Sequence, residues 1–201
     1  MVVPAERLPG WVERFGGRHG RLSWTAPDQS VTEVHAADGA AAILLWPLPG
    51  QPVTDPHGLA ARCLAAEPRN VVLVRRGGWA VGTALGSELA LSRCGTRYVQ
   101  GKTKAGGWSQ QRYARRRAQQ ADSLLDAAEG GVREVLAGTT GPVVLGGDRA
   151  LLDRLLRQLA DTDVPARVVP RRLDVPDPRL RVLRRAVVDA GAVYIDLNEL
   201  A

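Results

Sequence analysis

Two apolar runs, Asn70–Arg75 (NVVLVR) and Trp79–Leu85 (WAVGTAL), flank a glycine pair, Gly77-Gly78. Runs this short, rich in valine and closed by turn-forming glycines, are strands of a hairpin rather than pieces of a helix. Glu88–Cys94 alternates weakly and extends the pair to three antiparallel strands. Further on, Pro142–Leu145 (PVVL) reads as a buried strand, Gly146-Gly147 as a turn, and Asp148 as the cap of a helix reaching Ala160. Ala166–Val169 (ARVV) is another short strand, and Pro178 starts a helix running to about Asp189. An antiparallel meander followed by strand, helix, strand, helix predicts a mixed α/β sheet with a parallel edge.

The N-terminal third reads differently. Leu8–Gly16 has the spacing of a short amphipathic helix stopped by Gly16-Gly17. Arg21–Thr25, Val31–Ala36 and Ala41–Trp46 are strands separated by turns at Pro27-Asp28 and Asp38-Gly39. Pro47, Pro49 and Pro52 mark a linker or loop, and Asp55-Pro56 starts a helix towards Glu67. The expected organisation is a β-containing extension over residues 1–66 and an α/β domain over 67–201.

With 201 residues, the chain is long enough for one domain with a real core or two small ones. A composition 45% hydrophobic and 24% charged excludes disorder as a description of the whole. No apolar run reaches the length of a membrane span, so none is expected. The opening residues MVVPAERLPGW put a proline and a glutamate where a secretory apolar region belongs, so no signal peptide is expected. Cys63 and Cys94 alone build no disulfide framework, which fits a reducing cytoplasm.

Charge is unevenly placed. Lys+Arg is 27 against 21 Asp+Glu, a net +6. From Leu89 to Ala121 there is no acid, while Arg93, Arg97, Lys102, Lys104, Arg112, Arg115, Arg116 and Arg117 fall inside the window. The two lysines, the only ones in the chain, lie in a loop over Gly101–Gly107 that holds three glycines in seven residues. A helix follows from about Trp108 to Glu129, with Ala114, Ala118, Ala121, Leu125 and Ala128 as its core stripe. Gly130-Gly131 ends it, and a shorter helix covers Val132–Ala137. A cationic, glycine-permitted loop feeding a cationic helix points to phosphate contact.

Other chemistries find little support. His19, His35, His57, Cys63 and Cys94 have no metal-ligand spacing, and no Ser-His-Asp or Cys-His arrangement is visible. The strands NVVLVR, WAVGTAL and PVVL carry no carboxylate, which argues against two-metal nuclease chemistry. Gly146-Gly147 lacks a Walker lysine, and Asp148 beside it would repel phosphate. Within the basic segment, Trp108 either stacks on a base or anchors the loop to the core. Gln110 and Gln111 offer donors and acceptors but have no general base beside them.

This segment resembles the catalytic loop of class-1 peptide release factors of eukaryotes and archaea, where Gly-Gly-Gln is followed by a basic helix. Gly106-Gly107 match the glycines, and Arg112-Tyr113-Ala114-Arg115 resemble the Arg-Phe-Ala-Arg of that helix. The chain is most similar to the Vms-like release factor family, in its actinobacterial branch. It departs from the classical motif in that Trp108-Ser109 intervene before Gln110-Gln111.

The resemblance covers roughly Glu67 to Ala201 and implies the release-factor middle-domain fold, an RNase H-like mixed sheet, with a β-rich extension before it. It implies a peptidyl-tRNA hydrolase that frees nascent chains from stalled ribosomes or large subunits. Gln110, with Gln111 as second choice, would position water at the ester, and Gly106 and Gly107 would admit the loop to an rRNA-walled site. Lys102, Lys104, Trp108, Arg112, Arg115, Arg116 and Arg117 would contact RNA. The expected partners are large-subunit rRNA and peptidyl-tRNA, with no metal, cofactor, membrane or DNA, and the chain acting as a monomer. A non-catalytic ribosome- or RNA-binding adaptor in translation rescue is the alternative.

Overall fold

The computed structural model describes residues 1–96 and 108–201, with the backbone alone at 64, 108–114 and 117. Contacts divide the chain into two compact units, Met1–Glu67 with Val188–Ala201, and Pro68–Val187. The protein is a mixed α/β chain with two five-stranded sheets.

The first unit holds β1 (Val2–Val3), α1 (Leu8–His19), β2 (Leu22–Asp28), β3 (Val31–Ala36), β4 (Ala41–Leu45), α2 (Pro56–Leu64) and β10 (Val193–Leu197). Its sheet is antiparallel throughout, in the order β1-β10-β4-β3-β2. Alternation along β3 and β4 turns Val34, Ala42 and Leu44 inward, where Leu8, Val12 and Phe15 of α1 and Leu59 of α2 meet them. The proline-rich stretch after β4 is pinned rather than free. The Arg62 guanidinium donates to the carbonyls of Leu48 (2.9 Å), Gln51 (2.6 Å) and Gln29 (2.9 Å), and lies 4.1 Å from the centre of the Trp46 ring.

The sequence reading did not anticipate β10. Val193 and Ile195 are buried in the first unit's core, and Tyr194 to Leu197 pair with Leu45 to Ala42. The contact division therefore sends residues after Val187 back to the N-terminal unit, whereas the sequence reading keeps 67–201 together.

The second unit holds β5 (Pro68–Arg75), β6 (Gly78–Leu85), β7 (Glu88–Thr96), α3 (Trp108–Val135), β8 (Val143–Gly147), α4 (Arg149–Gln158), β9 (Val168–Leu173) and most of α5 (Leu180–Ala190). The sheet order is β7-β6-β5-β8-β9; β5, β6 and β7 are antiparallel, while β8 and β9 run parallel to β5. This is the RNase H-like arrangement, a meander with parallel strands added at its first member. Val71 to Val74 of β5 are all buried, as a central strand covered on both faces requires. Val72, Val74, Val81, Val143 and Leu145 form one core with Leu124, Leu125, Ala128 and Val132 of α3 and Leu152 and Leu155 of α4. Each fully buried leucine among these contributes about 1.5–3 kcal/mol. Asn70, wholly buried at the start of β5, donates its side-chain amide to Thr140 O (2.9 Å) and so fixes the segment leading into β8.

Two expectations for the helix after the basic window are corrected. Gly130-Gly131 does not end it: α3 is continuous from Trp108 to Val135. Gly131 is there because the Trp79 ring occupies the place of a side chain, with a Cβ at 131 standing 2.3 Å from the indole. The other edge of that ring lies against Gly95, directly opposite Trp79 on β7, where a Cβ would stand 2.5 Å from Nε1. The expected alanine stripe also starts too early. Ala118 is exposed, burial begins near Ala121, and only Leu125 and Ala128 of the stripe's described members are deep in the core.

The adjacent glycines predict opposite outcomes. Gly131→Ala drives a methyl into the indole and lowers the thermal midpoint, at a cost of ~1–3 kcal/mol. Gly130 has nothing within 4 Å of a Cβ position, so Gly130→Ala raises the midpoint, by up to ~1 kcal/mol from helix propensity alone. Thermal unfolding of both variants checks the pair. The thiols differ as well: burial pushes both up, Cys63 in α2 to about 11, but Cys94 on β7 is the exposed one. Iodoacetamide at mildly alkaline pH should modify Cys94 first, with Cys63 following only as the pH approaches its raised value or the chain unfolds; peptide mass mapping reads the order.

Candidate nucleic-acid interface

The basic window begins on the edge strand β7 and ends on α3. Lys102, Lys104, Gly106 and Gly107 lie outside the described residues. Trp108, Gln110, Gln111 and Arg112 fall in the first turns of α3, and Arg117 shortly after, with side chains outside the description. Arg115 and Arg116 are exposed. Their relation to the glutamines is therefore that of position along one helix: Arg115 lies four residues after Gln111, about one turn on.

What α3 does show is a division of charge. Its acids begin at Asp122, and from there each charged group is tied to a neighbour. Asp122 takes a short hydrogen bond from Arg154 of α4, Asp126 accepts from the Gln158 amide (3.3 Å), and Arg133 bridges Glu129 (2.9 Å) and Asp161 (2.7 Å). The two carboxylates raise the Arg133 pKa further, while Arg133 holds Asp161 below the usual carboxylate range. Glu134 pairs with Arg93 of β7 at 2.7 Å. Arg93, one of the window's cations, is thus committed to holding the strand to the helix. Arg115 and Arg116, by contrast, have no salt-bridge partner among the described residues. The C-terminal half of α3 is electrostatically closed on the protein itself, while Arg115 and Arg116 ahead of it are exposed cations without an acidic partner among the described residues.

The features set aside in the sequence analysis have structural explanations. Gly147 adopts φ +106°, and Asp148 accepts from the backbone N–H groups of Ala150 (3.0 Å) and Leu151 (3.2 Å). A side chain of the protein thereby occupies the amides that a phosphate would need. Gly77-Gly78 turn the β5–β6 hairpin, with Arg75 paired to Gly78. His35 is exposed beside Glu33, and His19 Nδ1 lies 2.9 Å from Asp38. Ser23 Oγ donates to the backbone carbonyl of His35 (3.3 Å) and not to its ring, and among the described residues no three His, Cys, Asp or Glu side chains gather at one point. No described helix is long and apolar enough to cross a membrane.

No curated protein matches the chain. Among solved structures, the crystal structure of the archaeal translation termination factor aRF1 is 16% identical, with a TM-score of 0.46, and covers 83% of this chain. The chain spans 50% of the length of that factor. A second structure, described as an archaeal protein, is 12% identical with a TM-score of 0.34, over 94% of this chain and 73% of its own length. At such identities the relationship rests on sequence-family membership instead. The model of the Actinobacteria/chloroflexi VLRF1 release factor family matches residues 67–196, through the basic window and the whole second sheet. The chain therefore belongs to the Actinobacteria/chloroflexi VLRF1 release factor family.

Proposed function

We propose that the chain is a ribosome-dependent peptidyl-tRNA hydrolase that acts in the cytoplasm and releases nascent chains from stalled ribosomes or large subunits. The observation that carries this reading is the span of the family match, which encloses Gly106-Gly107, Gln110-Gln111 and the helix behind them. In this reading residues from 67 onward carry catalysis, and residues 1–66 are an extension to it.

Ester hydrolysis needs a positioned water and a stabilised oxyanion; a protein acid or base is not compulsory. Gln110, or Gln111 in second place, would place water at the ester carbon through its side-chain amide or backbone N–H. Gly106 and Gly107 would let the backbone approach closely within a site walled by rRNA. Lys102, Lys104, Trp108, Arg112, Arg115, Arg116 and Arg117 would contact that RNA. Arg115 and Arg116, exposed and without an acidic partner among the described residues, set against the closed ion pairs further along α3, support an approach with the helix start leading.

Release of labelled peptide from stalled ribosomal complexes tests the proposal. Gln110→Ala, Gln111→Ala and the double variant should include at least one that releases ~100-fold more slowly while binding large subunits as the parent does. Arg115→Glu/Arg116→Glu should weaken binding and flatten its salt dependence, by a slope of roughly 1.4 for two phosphate contacts on single strands. Full-rate release by the double glutamine variant would overturn the assignment. Binding without release by the parent chain would instead make it an adaptor.

A further inference from the structure

The first unit has a basic stripe of its own. On α1 and the residue before it, Arg7, Trp11, Arg14 and Arg18 recur at spacings of four, three and four, which places them along one side of the helix. Glu6 and Glu13 fall on the opposite side, and Leu8, Val12 and Phe15 face the core. Arg7, Arg14 and Arg18 are exposed and have no acidic partner among the described residues. In the second unit, by contrast, Arg93, Arg133, Arg154, Arg167 and Arg172 are each in salt bridges.

Beside this stripe lies a cleft of about 230 Å³ lined by Trp11, Arg14, Phe15, Arg18, His19 and Leu197. Its aromatic wall is continuous. Trp11 and Phe15 are stacked with centroids 5.3 Å apart and planes at 15°, and the Phe15 and His19 rings are 4.8 Å apart. His19 is held from behind by Asp38, Nδ1 to Oδ2 at 2.9 Å, and Asp38 is itself fixed by the Ala40 N–H. With Nδ1 engaged by Asp38, Nε2 is the ring nitrogen left for another partner. A cleft joining a π-surface, two unpaired guanidinium groups and an oriented imidazole matches a nucleotide: an aromatic ring takes a base, arginines take phosphate, and the ring nitrogen hydrogen-bonds a polar group of the sugar or base. An acidic peptide would use the arginines but give the stacked rings no task.

We propose that this α1 cleft binds single-stranded RNA, with a base against Trp11, which Phe15 backs from the core, and the flanking phosphate on Arg14 and Arg18. The proposal goes beyond the release reading and does not depend on it, since no residue of the basic window takes part.

Fluorescence anisotropy of a labelled oligoribonucleotide of about ten nucleotides, titrated with the full chain between roughly 50 and 200 mM salt, tests it. Arg14→Glu/Arg18→Glu should weaken binding at least ~tenfold and reduce the salt slope by about 1.4. Trp11→Ala should weaken it between ~5- and ~150-fold, and Trp11→Tyr, which keeps a π-face, should recover most of that loss. Polyglutamate should compete poorly, and ultraviolet crosslinking should map to the peptide containing Trp11. Release from stalled ribosomal complexes is scored separately on the Arg14→Glu/Arg18→Glu chain, so that failure of the release reading and failure of this one are separately visible. Parent-like affinity in both the arginine and Trp11→Ala variants would overturn the proposal. So would a Trp11→Tyr protein, folded by circular dichroism, that binds no better than Trp11→Ala. Efficient competition by polyglutamate would reduce the stripe to a general anion surface and overturn it too.

Discussion

The second unit depends on where one indole lies. Trp79 is too large to sit between an edge strand and a helix unless both neighbours lack a Cβ, and Gly95 and Gly131 supply that absence. Removing side chains from both lets strand and helix backbones close on the ring, which is 7% exposed. The contact fixes one turn of α3 against β6 and β7. A helix is a stiff rod, so a turn fixed at Gly131 governs the direction of its start, about 35 Å away at 1.5 Å per residue. The pair Arg93–Glu134 secures the same junction a turn further on.

Charge then divides the work along that rod. Acids from Asp122 onward meet arginine or glutamine on α4, on β7 or on α3 itself, and Arg133 reaches Asp161 beyond α4, so this half of α3 adheres to its own unit. Exposed ion pairs of this kind contribute little stability each, a few tenths to 1 kcal/mol in general. Their larger effect is to leave the net positive charge concentrated where no acid is near. A pI near 10.1 describes the chain as a whole, but the charge is unevenly placed: Arg115 and Arg116 of α3, and Arg7, Arg14 and Arg18 along one side of α1, are exposed without an acidic partner among the described residues.

How far this was readable in advance varies by element. The strands β5, β6 and β8 are apparent because valine-rich runs end at glycine pairs, and the Asp148 cap follows from its place between strand and helix. The helix break at Gly130-Gly131 was a misreading because the reason for Gly131 is a tryptophan on a distant strand, which local spacing does not reveal. β10 was overlooked although Val193, Ile195 and Leu197 alternate, because its partner β4 lies at the other end of the chain. The glutamines stand out as donors and acceptors in the basic segment, but a catalytic role for them comes only through likeness to a family: an amide without a neighbouring base has no local chemical signature. The cleft on α1 is hidden in any count along the sequence, since Glu13 on the helix and Glu6 just before it offset the cationic side. Helical spacing of Arg7, Trp11, Arg14 and Arg18 was the signal available.

The return of β10 has a consequence for synthesis. The N-terminal sheet has β10 as its second strand, between β1 and β4, and the Met1 amine bonds Ile195 O. Its earliest strands thus emerge first and wait unpaired on that side until residues near 195 have been made. The intervening unit, whose strands and helices are contiguous from Pro68 to Val187, has its partners to hand sooner. A vectorial order of assembly follows, in which the inserted body matures ahead of the frame that encloses it in sequence.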